Sequence, residues 1–161
     1  MPNYADASFS PWGDWEINEE GDYITDVAKI INVEGSITKI GKSNFNGFAK
    51  LTTVNLIAPI QSIGDMAFMA CRRLATFNWE MPENATIGTN AFNGTKLIIE
   101  NTLYLGTTLV NVYPEYSSST LSIKSGTTKI NANAISGCSS ITSITIPNTV
   151  TTIGDNAFEE T

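Results

Sequence analysis

Hydrophobic and polar positions recur along the chain with a period of about 23 residues. Residues 63–68 read IGDMAF, and the same block returns as IGTNAF at 87–92 and as IGDNAF at 153–158. Degraded copies, IGKSNF at 40–45 and INANAI at 130–135, keep the register. Because a unit of this size cannot bury its apolar residues alone, its regular return predicts successive turns of chain stacked on one another.

Three of these blocks are followed by a pattern that predicts a β-strand, in the order apolar-x-x-apolar-x-apolar. Polar residues between the apolar ones then face away from the core, because successive strand side chains point to opposite sides. The predicted core positions are Leu51, Val54 and Leu56, then Leu74, Phe77 and Trp79, then Ile141, Ile144 and Ile146. The predicted outward positions, which are candidate contact residues, are Thr53, Asn55, Thr76, Asn78, Ser143 and Thr145.

The rest of each repeat predicts a turn, a second short strand and a helical turn. A proline at 59, 82 or 147 ends the first strand, and a short run containing apolar residues follows. The glycine of the block permits a tight turn, and Asp65 or Asp155 can cap one helical turn that carries Ala and Phe inward. We call one such repeat a rung. Parallel strands joined by crossovers are expected to coil right-handedly.

The period lies within the range of leucine-rich repeats, about 20–29 residues. The predicted fold is mainly β: a right-handed leucine-rich-repeat solenoid of about five rungs with short helical turns. Residues 141–158, ITSITIPNTVTTIGDNAF, resemble the BspA-type leucine-rich repeats of bacterial and protist surface proteins. The resemblance covers roughly residues 37–161. It implies an extracellular adhesion or host-interaction module without enzymatic activity.

One step of the repeat is longer, 43 residues from position 88 to position 131. Within it, Gly106-Thr107-Thr108 separates two alternating apolar runs, which predicts a β-hairpin that decorates the array. The resemblance agrees, since the family often carries an insertion similar to residues 103–114. We therefore expect an N-terminal capping or attachment segment at 1–36, a solenoid at 37–161 and a hairpin insertion at 103–120.

Composition and charge narrow the possible partners. The chain has 161 residues, 42% of them hydrophobic, and 16 acidic against 9 basic residues give a formal net charge of -7. This field repels nucleic-acid phosphates and anionic membrane surfaces, so we expect no nucleic acid partner. No run approaches the roughly 18 apolar residues of a membrane span, and residues 1–6 lack the pattern of a secretory signal. We expect no membrane insertion and no signal peptide in the sequence as given.

The sequence offers little for catalysis. The chain has no histidine, which removes the Ser-His-Asp and Cys-His mechanisms and the usual zinc sites, and its glycines form no phosphate loop, so we expect no cofactor. Cys71 and Cys138 share one position of the repeat but lie too many rungs apart for a disulfide, so both should be buried thiols. An acidic cluster could hold calcium but fits no EF-hand loop, and a solvated acidic turn is the alternative: Asp14, Glu16, Glu19, Glu20 and Asp22.

An aromatic cluster marks the N-terminal segment, which is otherwise rich in Ser, Pro, Gly and Asp. Its members are Tyr4, Phe9, Trp12 and Trp15. These rings could cover the apolar end of the first rung, as solenoid ends require. They could instead anchor a partner, since Trp and Tyr dominate interface hot spots.

Two functional hypotheses follow from these features. The first is a non-catalytic module that binds a protein or glycan at an extracellular or cell surface. The second is a structural or decoration subunit, present in many copies in a larger assembly such as a virion or cell-surface layer. An enzyme is not expected.

Overall fold

The computed structural model describes residues 28–161. These residues form thirteen β-strands and no helix. The chain divides after Leu97 into two compact units, each with its own sheets. The prediction of a mainly β chain built from repeated rungs is confirmed.

The first unit contains two parallel three-stranded sheets. One sheet has the first strands of three rungs in the order β1 (Ile30–Val33), β3 (Thr53–Leu56) and β5 (Thr76–Trp79). The other has the short second strands, β2 (Lys39–Ile40), β4 (Ser62–Ile63) and β6 (Thr86–Ile87). Residues 23 apart pair in the first sheet, as the sequence period predicts. Strand β1 pairs as a rung strand although it lies within the segment 1–36, whose capping role stays a prediction.

Stacked phenyl rings form the interior of this unit. The ring of Phe68 lies between those of Phe45 and Phe92, with centroid distances of 5.1 and 5.6 Å and nearly parallel planes. Phe77 of β5 meets Phe68 and Phe92 edge-on, at 5.2 and 5.0 Å. The expected interior column is therefore present for Phe68 and Phe92, whereas Phe158 lies in the second unit.

The segments expected as helical turns consist instead of successive hydrogen-bonded turns. Alternate N–H groups point to the next rung: those of Ser43, Phe45 and Gly47 donate to the carbonyl oxygens of the residues 22 positions later, at 2.8–2.9 Å. Left-handed residues at two places in each turn segment prevent a continuous helix, because a helix needs an unbroken run of negative φ. These residues are Ser43, Met66, Asn90, Asn133 and Asn156, and four positions later Gly47, Ala70, Gly94, Gly137 and Glu160.

The glycine of the repeated block lets two rungs approach closely. A Cβ on Gly88 would lie 2.4 Å from the backbone nitrogen of Asp65, and a Cβ on Gly64 would lie 2.7 Å from that of Lys42. Neither glycine has positive φ. The glycine is therefore required for its small size, whereas the sequence argument required it for a tight turn.

The second unit combines antiparallel and parallel strands. Strands β7 (Ile98–Ile99), β8 (Thr102–Leu105) and β9 (Thr108–Val112) form an antiparallel meander. Strands β11 (Lys129–Ile130) and β13 (Thr152–Ile153) extend this sheet in parallel from β9. A separate parallel pair is formed by β10 (Thr120–Ser122) and β12 (Ser143–Thr145).

The predicted hairpin is present as β8 and β9, but it does not merely decorate the array. Strand β9 pairs with β11, Leu109 opposite Ile130, in the same way that second strands pair in the first unit. Its last residue, Val112, donates its N–H to the carbonyl oxygen of Ala134 in the following turn segment. One hairpin strand thus serves as part of a rung.

Buried aliphatic side chains fill the core of the second unit, among them Leu109, Ile130 and Ile135, and Phe158 packs against them while partly exposed. The expectation that Ile146 belongs to the core is wrong, since it is 41% exposed, and Ile153 is 50% exposed. Ile146 follows the end of β12, and β12 and β13 are edge strands in the described part of the chain. No described strand covers their outer side.

Candidate binding surface

The outward face of the β1–β3–β5 sheet carries four of the six candidate contact residues. Thr53 and Asn55 on β3 are half-buried, and Thr76 and Asn78 on β5 are exposed. They alternate with buried core residues of the same strands, as the period-2 pattern predicts. In register, Thr53 stands beside Thr76 and Asn55 beside Asn78.

Three asparagines on this face form a hydrogen-bonded ladder. The Nδ2 of Asn55 donates to Oδ1 of Asn32 at 2.7 Å, and the Nδ2 of Asn78 donates to Oδ1 of Asn55 at 2.7 Å. Each residue is 23 positions from the next, so every rung of the sheet contributes one amide. The ladder fixes the side-chain rotamers before any partner arrives.

Bonding within the ladder leaves hydrogen-bonding capacity on the outside. A primary amide has two N–H donors and an oxygen with two lone pairs, and the central Asn55 uses one donor and one acceptor inside the ladder. A surface whose polar groups are already held in place loses less conformational entropy when a partner binds. The face is therefore suited to recognition of a partner rich in polar groups.

Exposed aliphatic side chains flank the ladder. Ile30, which stands in the same row as Thr53, is 60% exposed, and Ile57, just after β3, is 66% exposed. Glu34 and Glu80 occupy the positions one repeat before and after Ile57. The face thus offers apolar contact area beside its amides and hydroxyls, as binding surfaces commonly do.

The other two candidates, Ser143 and Thr145, lie on β12 in the second unit. Both are exposed, and in register they stand beside Thr120 and Ser122 of β10. Ser143 also borders a shallow open depression of about 350 Å³, which is lined by Ile141, Thr142, Ser143, Ile144, Phe158 and Thr161. This short hydroxyl-bearing face belongs to the second unit, whereas the asparagine ladder belongs to the first.

The two cysteines are buried free thiols, as predicted. Burial raises the pKa of the Cys71 thiol to about 11, and this effect outweighs nearby backbone hydrogen bonds that lower the pKa. Burial also raises the pKa of the Cys138 thiol. A nucleophilic cysteine needs a depressed pKa and access to solvent. These thiols therefore fit a structural role.

No group of three or more metal-ligating side chains occurs among residues 28–161. The same residues contain no helix that could cross a bilayer. The acidic cluster considered for calcium and the aromatic cluster both lie before residue 28, outside the described residues. Their residues are Asp14, Glu16, Glu19, Glu20 and Asp22, and Tyr4, Phe9, Trp12 and Trp15.

Sequence reasoning missed Asn32, which completes the ladder. Its signal was present, because it lies one period before Asn55. The strand pattern of the preceding rung was not recognised, since residues 30–33 read IINV without the full apolar-x-x-apolar-x-apolar spacing.

Parallel rungs with two strands each and a period of 23–24 residues define a solenoid of the leucine-rich-repeat class. The chain belongs to the family of the BspA type leucine rich repeat region, whose profile matches residues 23–111 and 110–161 in six copies. No curated protein matches the chain significantly.

Several solved structures are similar to the chain. A leucine rich cell surface protein from Faecalibacterium prausnitzii A2-165 is 22% identical with a TM-score of 0.42, and the match covers 81% of this chain and 38% of that chain. A leucine-rich repeat protein from Bacteroides ovatus ATCC 8483 is 19% identical with a TM-score of 0.37, over 84% of this chain and 29% of that chain. The chain thus spans less than half the length of these two proteins.

Proposed function

We propose that the chain is a non-catalytic binding module that holds a protein or glycan partner against the outward face of the β1–β3–β5 sheet. The observation that carries the proposal is the amide ladder of Asn32, Asn55 and Asn78, because it presents fixed polar groups on an accessible rigid face. A location at the cell surface belongs to the same proposal, since it is what the resemblance to surface leucine-rich-repeat proteins implies.

Several features support a role without catalysis. The chain has no histidine, the commonest general base, and burial disfavours the thiolate form of Cys71. Binding through a repeated surface needs neither group. A repeat array instead supplies many weak, regularly spaced contacts to one partner.

The test removes hydrogen bonding from the face without changing charge. Thr76→Val with Asn78→Leu should weaken binding of the full chain to its ligand on an array of neutral and acidic oligosaccharides with immobilised mucin. Loss of two polar contacts predicts at least about tenfold weaker binding. The matched control is Thr86→Val with Asn84→Leu, because both residues are exposed in the same unit but lie outside the first-strand sheet.

The control variant should bind as the unchanged chain does, and both variants should unfold at similar denaturant concentrations. Equal binding by the unchanged chain and the Thr76/Asn78 variant would contradict the proposed face. Absence of binding to every probe would contradict the binding function itself. A structural role in a multi-copy assembly stays a prediction, and light scattering on the purified chain tests it.

A further inference from the structure

Beside the amide ladder, the first unit carries a column of cations. Lys50 and Arg73 occupy the same position of two successive rungs, three residues after the left-handed Gly47 and Ala70, and both are exposed. Arg72 and Lys96, also exposed, occupy the neighbouring position, two residues after the left-handed Ala70 and Gly94. All four come just before the start of a first strand or the equivalent position. We call Lys50, Arg72, Arg73 and Lys96 the basic column.

Backbone hydrogen bonds show that these turns are stacked. The N–H of Lys96 donates to the carbonyl oxygen of Leu74, the residue after Arg73, at 2.9 Å. Ala75 donates in the same way to Thr52 at 3.1 Å. Adjacent parallel rungs are about 4.8 Å apart, so the backbones at Lys50 and Lys96, which are two rungs apart, are separated by about 10 Å.

The charge of the chain is distributed unevenly, so the formal net charge of -7 does not describe the residues around the basic column. Residues 1–27 contain seven of the 16 acidic residues and none of the nine basic ones. Residues 28–97 contain seven basic and four acidic residues. The turns that hold the column, 47–50, 70–73 and 94–97, contain no carboxylate. The first unit is therefore locally cationic where these turns stack.

A stack of like charges works against folding, because like charges directly opposite each other on neighbouring strands repel. The repeat does not require cations here: the equivalent position in the second unit is Ser140, whose hydroxyl donates to the carbonyl oxygen of Tyr116. The fold therefore does not require a cation at this position. An anionic ligand that binds along the column would remove this repulsion.

We infer that the partner of this face is an anionic oligosaccharide, bound with its carboxylate or sulfate groups along the basic column and its hydroxyls on the neighbouring Thr and Asn rows. This inference rests on the proposed function. In two rungs the outward order runs from cation to threonine to asparagine: Lys50, Thr53 and Asn55, and then Arg73, Thr76 and Asn78. That order matches a ligand with both charged groups and hydroxyls.

Two other polyanions fit the face less well. Single-stranded nucleic acid is normally bound by stacking of its bases on aromatic side chains, and the outward positions of β1, β3 and β5 are Ile, Thr and Asn. An acidic peptide would add a strand at a sheet edge or insert apolar anchors, whereas the column lies across the rungs and not along an edge strand. Both serve as comparison ligands in the test.

The test measures binding of the full chain to a heparin octasaccharide, which carries sulfates and carboxylates, and to a hyaluronan octasaccharide, which carries carboxylates alone. A neutral maltooctaose, an oligo-dT and a polyglutamate of similar length complete the set. Lys50→Gln with Arg73→Gln should weaken binding of at least one acidic oligosaccharide about tenfold or more. Lys42→Gln with Lys124→Gln changes the net charge equally at exposed sites outside the column and should change binding less than about twofold.

The possible results separate this inference from the proposed function. Equal weakening by both double variants, or equally tight and equally sensitive binding of oligo-dT or polyglutamate, would overturn the assignment of an anionic glycan. Binding of a neutral glycan or of mucin that depends on Thr76 and Asn78, without binding of either acidic octasaccharide, would overturn the inference and leave the proposed function standing. Absence of binding to every probe would overturn both.

Discussion

The thiol of Cys71 donates a hydrogen bond to the carbonyl oxygen of Phe45, 3.0 Å away in the preceding rung. The same relationship recurs 26 residues apart in the second unit, from Cys138 to Val112 at 3.4 Å and from the hydroxyl of Thr161 to Ile135 at 3.1 Å. At three copies of this position a donor therefore satisfies a carbonyl of the neighbouring rung, through a thiol or a hydroxyl, whereas the hydroxyl of Thr95 donates to Phe92 in its own turn.

The use of either group predicts different outcomes for two substitutions of nearly equal shape. Cys71→Val should lower the free energy of unfolding by about 1–3 kcal/mol, because it leaves the buried Phe45 carbonyl without its donor. Cys71→Thr should cost less, because its hydroxyl can donate as that of Thr161 does. Urea denaturation followed by circular dichroism measures both. Equal losses for the two variants would show that the hydrogen bond does not matter.

Burial of Cys71 also predicts a pH dependence of stability. The folded chain raises the pKa of this thiol from 9.0 to about 11, so between these pH values the folded state keeps a proton that the unfolded state has lost. Stability from this group is complete below pH 9 and is lost as pH rises towards 11, by about 3 kcal/mol in total.

The measurement compares the free energy of unfolding of the unchanged chain and of Cys71→Thr at pH 8, 10 and 11. Burial raises the pKa of Cys138 and Tyr104 as well. Both groups are present in the unchanged chain and in the variant, so their contributions to the pH dependence of stability are the same in the two proteins. The difference between them isolates Cys71. Parallel pH profiles would refute the predicted contribution.

The close approach of rungs predicts that Gly88→Ala is severely destabilising. Its Cβ would lie 2.4 Å from the nitrogen and 2.6 Å from Oδ1 of Asp65, and backbone atoms cannot give way cheaply. Separating the rungs at this point should cost at least about 3 kcal/mol, in the range of severe core defects. Thermal and urea unfolding of purified protein measure the loss.

Gly126→Ala is the control, since a Cβ there meets no atom within 4 Å. Gly126 has a φ of +83°, so its substitution should cost only the strain of a left-handed backbone, about 1–2 kcal/mol. A loss at Gly88 no larger than that at Gly126 would contradict the steric reason.

The phenyl stack predicts unequal roles for two phenylalanines in the same sequence context. Phe68→Ala should cost about 3–5 kcal/mol, because its ring is fully buried between Phe45 and Phe92. Phe158→Ala should cost distinctly less, because that ring is partly exposed and packs on one side of its core. Denaturant unfolding compares the two, and a larger loss at Phe158 would contradict the buried stack.

Much of the rung geometry was predictable from the period alone. A solenoid advances by one rung per repeat, so residues 23 apart become neighbours in parallel strands. That rule places Thr53 beside Thr76 and, across the one step of 24 residues, Phe68 near Phe92. It also located the hairpin in the one step that broke the period.

The candidate surface was only partly predictable. The alternation of strand residues identified Asn55 and Asn78 as outward, but periodicity does not say whether two outward amides bond to each other or to water. The basic column was not predicted because Lys50, Arg72, Arg73 and Lys96 lie outside the hydrophobic pattern that identifies strands. The net charge of the whole chain was also a poor guide to the charge of residues 28–97, which contain seven basic and four acidic residues.

What the sequence by itself determined is the period, the strand faces and the residues that share an interior column, because all three follow from side-chain spacing along one chain. The tertiary structure alone decided how the turns are bonded and what completes each rung. Ser43 and Phe45 bond to the next rung and not to their own turn, and a hairpin strand stands in for a rung strand beside β11. Hydrogen-bond partners that lie a full repeat away are supplied by the neighbouring rung, so local preference cannot specify them.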